Sequence, residues 1–182
     1  LKYEKSQLKK IVGSFGETLW FLARGIDERV ITQNKLPKSI SVETTFQTDQ
    51  IEFDTLEGFL WNLSETISFR LKSKSLLARR LSIKLKDKRF QLTVKSTTLE
   101  YPSNLHEIIF QESKILLQKS IMKAPFRLIG LSISNFSNVQ SATWTDAFFD
   151  KSYYQIRATE KAIDDIRSKF GKKAIIKGRS MK

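Results

Sequence analysis

Between Lys38 and Ile133 the spacing of apolar residues switches between two periods, and the order of those switches restricts the fold more than any other feature of the chain. Ile40, Val42, Thr44 and Phe46 alternate with Ser39, Ser41, Glu43 and Thr45, the two-residue period of a strand with one wet side. Leu56, Phe59, Leu60, Leu63, Ile67 and Leu71 then recur at helical spacing, and Asp54 with Glu57 reads as a capping box ahead of them. Leu81, Ile83 and Leu85 return to alternation with Ser82, Lys84 and Lys86. After a turn near Asp87 and Lys88, Phe90, Leu92 and Val94 alternate with Gln91, Thr93 and Lys95. Pro102 and Ser103 are expected to open a second helix carrying Leu105, Ile108, Ile109 and either Ile115 or Leu116. A last strand is expected over 126–133, with Ile129, Leu131 and Ile133 opposing Gly130, Ser132 and Ser134. The order β-α-β-β-α-β predicts an α+β domain: a four-stranded antiparallel-type sheet with two helices on one face and the other face left to solvent or a ligand.

The flanks read differently. Leu8, Ile11, Val12, Phe15, Leu19 and Leu22 suggest a helical appendage interrupted near Gly13 to Gly16 and stopped at Gly25. Residues 31–37 show neither period, and Pro37 removes a donor and biases Leu36 toward extended backbone, so this stretch reads as a tether. Beyond Asn135 a linker rich in serine, threonine and asparagine leads to Trp144 and the pair Phe148 and Phe149. Ser152 with Gln155 then predicts a capped helix over 153–170, ended by Gly171. The expected organisation is a helical piece at 1–30, a linker at 31–37, the sheet domain at 38–135 and a tail at 136–182.

Charge narrows the choice of partner. Lysine and arginine number 32 against 19 acidic residues, a formal charge of +13, which favours a polyanion. No apolar run approaches the ~20 residues needed to span a bilayer, and no signal-peptide pattern is present. The chain is expected to be soluble, cytoplasmic and monomeric. Without cysteine, no disulfide, thiolate nucleophile or cysteine metal site is available. The single His106 argues against a histidine metal or proton-transfer centre and reads as a surface residue without chemistry.

On the expected helix-free face lie Ser39, Ser41, Ser82, Lys84, Lys86, Gln91, Thr93, Lys95, Ser132 and Ser134, short hydroxyls and long cations with almost no aromatic. Lys38, just before the first strand, and Ser96 and Thr97, near the end of the third, join them by position. Hydroxyls and ammonium groups suit phosphate oxygens and read no sequence. Any half-exposed sheet carries polar residues on its wet side, so the weight rests on lysines from several strands gathering on one face. Arg79, Arg80, Lys88 and Arg89 flank the hairpin, either as solvated turn charges or as further contacts. Arg127 reads as structural or as part of the rim.

Local motifs add a resemblance. Leu19-Trp20-Phe21-Leu22-Ala23-Arg24-Gly25-Ile26-Asp27, followed by Lys38-Ser39-Ile40-Ser41-Val42-Glu43-Thr44-Thr45-Phe46, resembles the thumb-to-little-finger junction of Y-family translesion DNA polymerases of the bacterial polymerase IV type. Ser41 stands where that family usually has glycine. Further likeness runs through 93–99, 127–132 and 162–171. The resemblance implies a little-finger fold whose sheet lies in the major groove of primer-template duplex, with Glu43 facing a basic neighbour rather than DNA. It also implies a tail in which Phe148 and Phe149 take the place of the family's clamp-binding Leu-Phe, although the family's glutamine and first leucine are missing. Nothing in the sequence resembles the palm carboxylates that hold two metal ions. The chain is therefore expected to be a thumb-end and little-finger piece, inactive by itself, with Mg2+ belonging to the palm.

Two alternatives share parts of this pattern. RNA recognition motifs have the same element order but stack bases on aromatics of the central strands. A non-catalytic interaction subunit of a mutagenesis complex would bind the clamp or another protein through its tail.

Overall fold

The computed structural model describes residues 2–30, 37–139 and 151–178. They fall into two compact units, Leu1–Leu36 and Pro37–Lys182. Of the expected tether at 31–37, residues 31–36 lie outside the described residues, as do Trp144, Phe148 and Phe149.

In the first unit, α1 (Lys5–Val12) and α2 (Phe15–Leu22) form a helical hairpin. Its turn needs glycine twice, for different reasons. Gly13 has a φ of 67°, in the left-handed region. At Gly16 a Cβ would sit 2.5 Å from the backbone of Leu8 and Lys9, so the two helices touch main chain to main chain. After α2, Gly25 again takes a positive φ of 74° and ends the helical run as expected. Arg24 stacks its guanidinium 3.3 Å from the centre of the Trp20 ring and donates to the Trp20 carbonyl oxygen. Asp27 pairs with Arg29.

The second unit is the expected β-α-β-β-α-β array. It comprises β1 (Ser39–Gln50), α3 (Phe53–Lys72), β2 (Leu76–Asp87), β3 (Leu92–Ser103), α4 (His106–Gln118) and β4 (Phe126–Asn138), followed by α5 (Lys151–Phe170). All pairings are antiparallel, and the strands lie in the order β1-β4-β2-β3. Ile40 and Phe46 from β1, Leu81, Ile83 and Leu85 from β2, and Ile129, Leu131 and Ile133 from β4 meet Leu56, Leu60, Leu63, Ile67 and Leu71 of α3 and Ile109, Leu116 and Leu117 of α4. Burying each such side chain stabilises the fold by about 1.5–3 kcal/mol, so this one layer of contact fixes which sheet face is covered.

Several local expectations are corrected. The first core helix starts at Phe53 with Glu52 as its N-cap and no side-chain cap bond; Glu57 is instead paired with Lys114 at 3.0 Å. Pro102 and Ser103 end β3 rather than start α4, and the Ser103 hydroxyl oxygen accepts from the Leu105 N–H at 3.1 Å. In the last helix, Lys151–Phe170, Ser152 lies within the helix and not at its cap.

The α4 N-terminus obtains its cap from far along the chain. The Glu160 carboxylate of α5 accepts from the backbone N–H groups of His106 and Glu107, each at 3.0 Å, and from Lys72 Nζ at 2.7 Å. Two of the four orphan donors at that helix start are thereby satisfied. Asp164 to Lys72 and Arg167 to Glu65 hold the same helix against α3. His106 is correspondingly buried, not on the surface. Its Nε2 lies 3.3 Å from the Trp61 carbonyl oxygen and its Nδ1 2.9 Å from Lys177 Nζ. Donation by Nε2–H and acceptance by Nδ1 satisfy both contacts with a neutral ring.

Candidate nucleic-acid interface

The uncovered face of the sheet is organised in rows, because directly opposed residues of antiparallel neighbours point the same way. The pairings place Ser41, Ser132, Ser82 and Ser96 in a single row of hydroxyls crossing all four strands. The Ser41 hydroxyl donates to that of Ser132 at 2.8 Å, and those of Ser82 and Ser96 lie 2.9 Å apart. To one side is the row Ser39, Ser134, Arg80, Thr98. To the other come Glu43, Gly130, Lys84, Val94, and then Thr45, Leu128, Lys86, Leu92. Ser82, Lys84, Lys86 and Ser132 are half-buried, while Ser39, Ser41, Arg80 and Ser96 are exposed.

The cations of this face come from the single strand β2. Arg80, Lys84 and Lys86 form a line flanked by serines, and Lys38 stands exposed just ahead of β1. Lys84 Nζ reaches Glu43 Oε2 at 2.8 Å, two strands away, by crossing over Gly130. That bears out the expectation that Glu43 faces a basic neighbour.

One part of the expected face is wrong. Leu85 opposes Thr93, Ile83 opposes Lys95 and Leu81 opposes Thr97, so Thr93, Lys95 and Thr97 project to the helix side of the sheet, away from Lys84 and Lys86. Gln91 lies just before β3, in the hairpin turn. The face presents Leu92 and Val94 in their place, 55% and 52% exposed. The cause is register. The Asp87 N–H donates to the Gln91 carbonyl oxygen, and the Asp87 carboxylate accepts from the Arg89 and Gln91 N–H groups. This turn sets Lys86 against Leu92. Because the side-chain period is two, a count displaced by one residue exchanges the faces. β3 is also an edge strand that the helices do not cover along Leu92 to Thr98, so its alternation of apolar and polar residues does not report burial there; Leu99 marks where cover begins.

Sequence reasoning placed Arg80 with the flanking charges. Its even-numbered spacing from Ser82, Lys84 and Lys86 was the signal that it belongs to the face. Arg127, expected in a structural or a rim role, pairs with Asp49 at 3.1 Å. The central strands β2 and β4 show no aromatic ring on the open side, so base stacking of the RNA-recognition kind has no platform there. Among the described residues no three His, Cys, Asp or Glu side chains gather as metal ligands, and no helix is long and apolar enough to cross a membrane.

Residues 37–144 match the model of the impB/mucB/samB family C-terminal domain. The DNA polymerase IV 1 of Mesorhizobium japonicum is 37% identical over 175 residues, 96% of this chain and 40% of that protein. The DNA polymerase IV of Brucella melitensis is 35% identical over 175 residues, covering 96% and 39%, and that of Caulobacter vibrioides 32% identical over 171 residues, covering 94% and 42%. The chain thus spans about two fifths of the length of these curated relatives. Since the family match takes in all four strands and the two helices between them, this chain belongs to the impB/mucB/samB family, with residues 37–144 as its C-terminal domain.

Proposed function

We propose that this chain is the duplex-gripping, little-finger part of a translesion DNA polymerase of the DNA polymerase IV type, working in the cytoplasm on primer-template DNA. The observation that carries the reading is the open sheet face, where a continuous row of four serines lies beside a line of Arg80, Lys84 and Lys86, with no helix over it among the described residues. Such a surface offers hydroxyl donors and mobile ammonium groups to phosphate oxygens without bidentate partners for base edges. Its role is affinity and positioning. Bond making, with the Mg2+ it requires, belongs on this reading to palm carboxylates that have no counterpart among residues 1–182. The names of the relatives support the polymerase part of the reading. Phe148 and Phe149 are proposed to reach a sliding clamp; they lie outside the described residues.

Binding to a phosphate backbone releases counterions, so log affinity should fall with log salt by about 0.9 for each phosphate neutralised on duplex DNA. Fluorescence anisotropy with a primer-template duplex at several salt concentrations measures that slope. Changing Arg80, Lys84 and Lys86 together to alanine is expected to weaken all duplex sequences alike and to reduce the slope by two to three such increments, about 2 to 3 units. A salt-independent affinity, or a loss confined to certain sequences, rejects backbone gripping.

A further inference from the structure

The open face carries a second chemistry that phosphate binding does not use. Phe90, Leu92 and Val94 are 65%, 55% and 52% exposed, an apolar ridge along an edge strand, where exposed positions are ordinarily charged. Leu92 is the direct cross-strand neighbour of Lys86, and Val94 that of Lys84. Phe90 sits at the end of the hairpin turn with a φ of 63°. Its N–H closes the turn onto the Asp87 carbonyl oxygen at 3.0 Å. A left-handed residue there is ordinarily glycine, and a bulky side chain holds that conformation only at a cost. The Phe90 ring meanwhile stands between two cations, 5.9 Å from Lys86 Nζ and 5.8 Å from Arg127 Cζ.

We infer that this ridge of Phe90, Leu92 and Val94 is a sugar-binding strip of the DNA interface, packing on deoxyribose rings next to the phosphate held by Lys86. The inference rests on the duplex-gripping reading and deepens it. Leu92 directly opposes Lys86, at the roughly 5 Å of such pairs, and the Phe90 ring is 5.9 Å from the Lys86 ammonium. Apolar groups beside a phosphate held by Lys86 therefore meet the next part of the backbone, the C–H face of a sugar, with Val94 continuing the ridge along β3. Contact with sugar is independent of sequence, as the rest of the face is. It adds affinity that salt does not screen, because apolar burial releases no counterions. The phenyl at a glycine-type turn position extends the strip to the hairpin tip, where Lys88 and Arg89 are exposed.

Two variants separate this role from folding. Phe90→Gly relieves the turn and is expected to leave the melting temperature equal or higher while weakening duplex binding severalfold. Leu92→Thr with Val94→Thr keeps strand-compatible residues and is expected to lower affinity roughly tenfold. In both, the slope of log affinity against log salt should match that of the parent chain. Repeating the titrations with uracil in place of thymine tests the other apolar group of DNA, the thymine methyl; the same loss is expected. Unchanged affinity, a shallower salt slope, or a loss that vanishes with uracil overturns the sugar assignment. A parent chain that fails to bind duplex overturns the underlying reading and the ridge with it, whereas intact binding indifferent to these substitutions overturns the ridge alone.

Discussion

Lys84 reaches Glu43 across a whole strand because the residue between them has no side chain. A Cβ on Gly130 would stand 3.0 Å from Glu43 Cβ and 3.5 Å from Lys84 Cβ. Glu43 is the one acid in the four rows of the open face. With side chains 50% and 36% exposed, the pair contributes little to stability, but it occupies an ammonium group that phosphate would otherwise take. Glu43→Gln should therefore tighten duplex binding severalfold at low salt and steepen the salt slope by about 0.9, one phosphate's worth; weaker binding would show that Glu43 holds Lys84 in place for DNA. The sequence put Glu43 on this face. It did not reveal Lys84 as its partner, since the two meet only through the spatial order β1-β4-β2.

Elements obey the same division between local pattern and distant contact. The α1–α2 hairpin was legible from its apolar spacing and from Gly13 and Gly25, but the need for glycine at 16 is a matter of the two helices touching. Gly16→Ala places a methyl group against the Leu8 carbonyl, where main chain must move. It should cost the hairpin about 1–3 kcal/mol, read as faster amide exchange through Lys5–Leu22 with protection of β1 to β4 unchanged. In β3 the alternation was visible and its sense was misread, because turn geometry sets the register and the helices stop short of this edge. α5 shows the reverse case. Its helical span was legible, but nothing local marked Glu160, which is 4% exposed and closes the start of α4.

At the scale of the Pro37–Lys182 unit, the contact of α5 and the residues after it with α3 and α4 is a buried polar network whose charge state depends on pH. Burial, followed by the nearby Lys177 ammonium, pushes the His106 imidazole down to about 4. Glu160, Glu65 and the Trp61 carbonyl oppose that shift but do not outweigh it. Burial alone would raise the Glu160 carboxyl; the hydrogen bond and charge of Lys72, with the His106 and Glu107 N–H groups, hold it below its usual value. For His106 the unfolded chain binds the proton more readily than the folded one. Its contribution is therefore fully present above the unfolded pKa of 6.5 and is lost as pH falls from there to about 4, a loss of up to about 3 kcal/mol. Urea unfolding between pH 7 and pH 4 should show this decline, and His106→Gln should flatten it over that interval. An unaltered pH profile in the variant would place the sensitivity elsewhere.

The sequence by itself determined the elements and their order, the inward faces of β1, β2, β4 and α3, and the hydroxyl and lysine character of the outward face. Each of these follows from residue spacing within one segment, and that spacing survives in the folded chain because hydrophobic burial acts on whole faces at once. Only the tertiary structure decided the row of four serines, the bridge from Lys84 to Glu43, the side on which Lys95 emerges and the capping of α4 by Glu160. Those depend on strand order, on a register set by one turn and on how far a helix extends over an edge. Such quantities join residues far apart in the chain, and no local period encodes them.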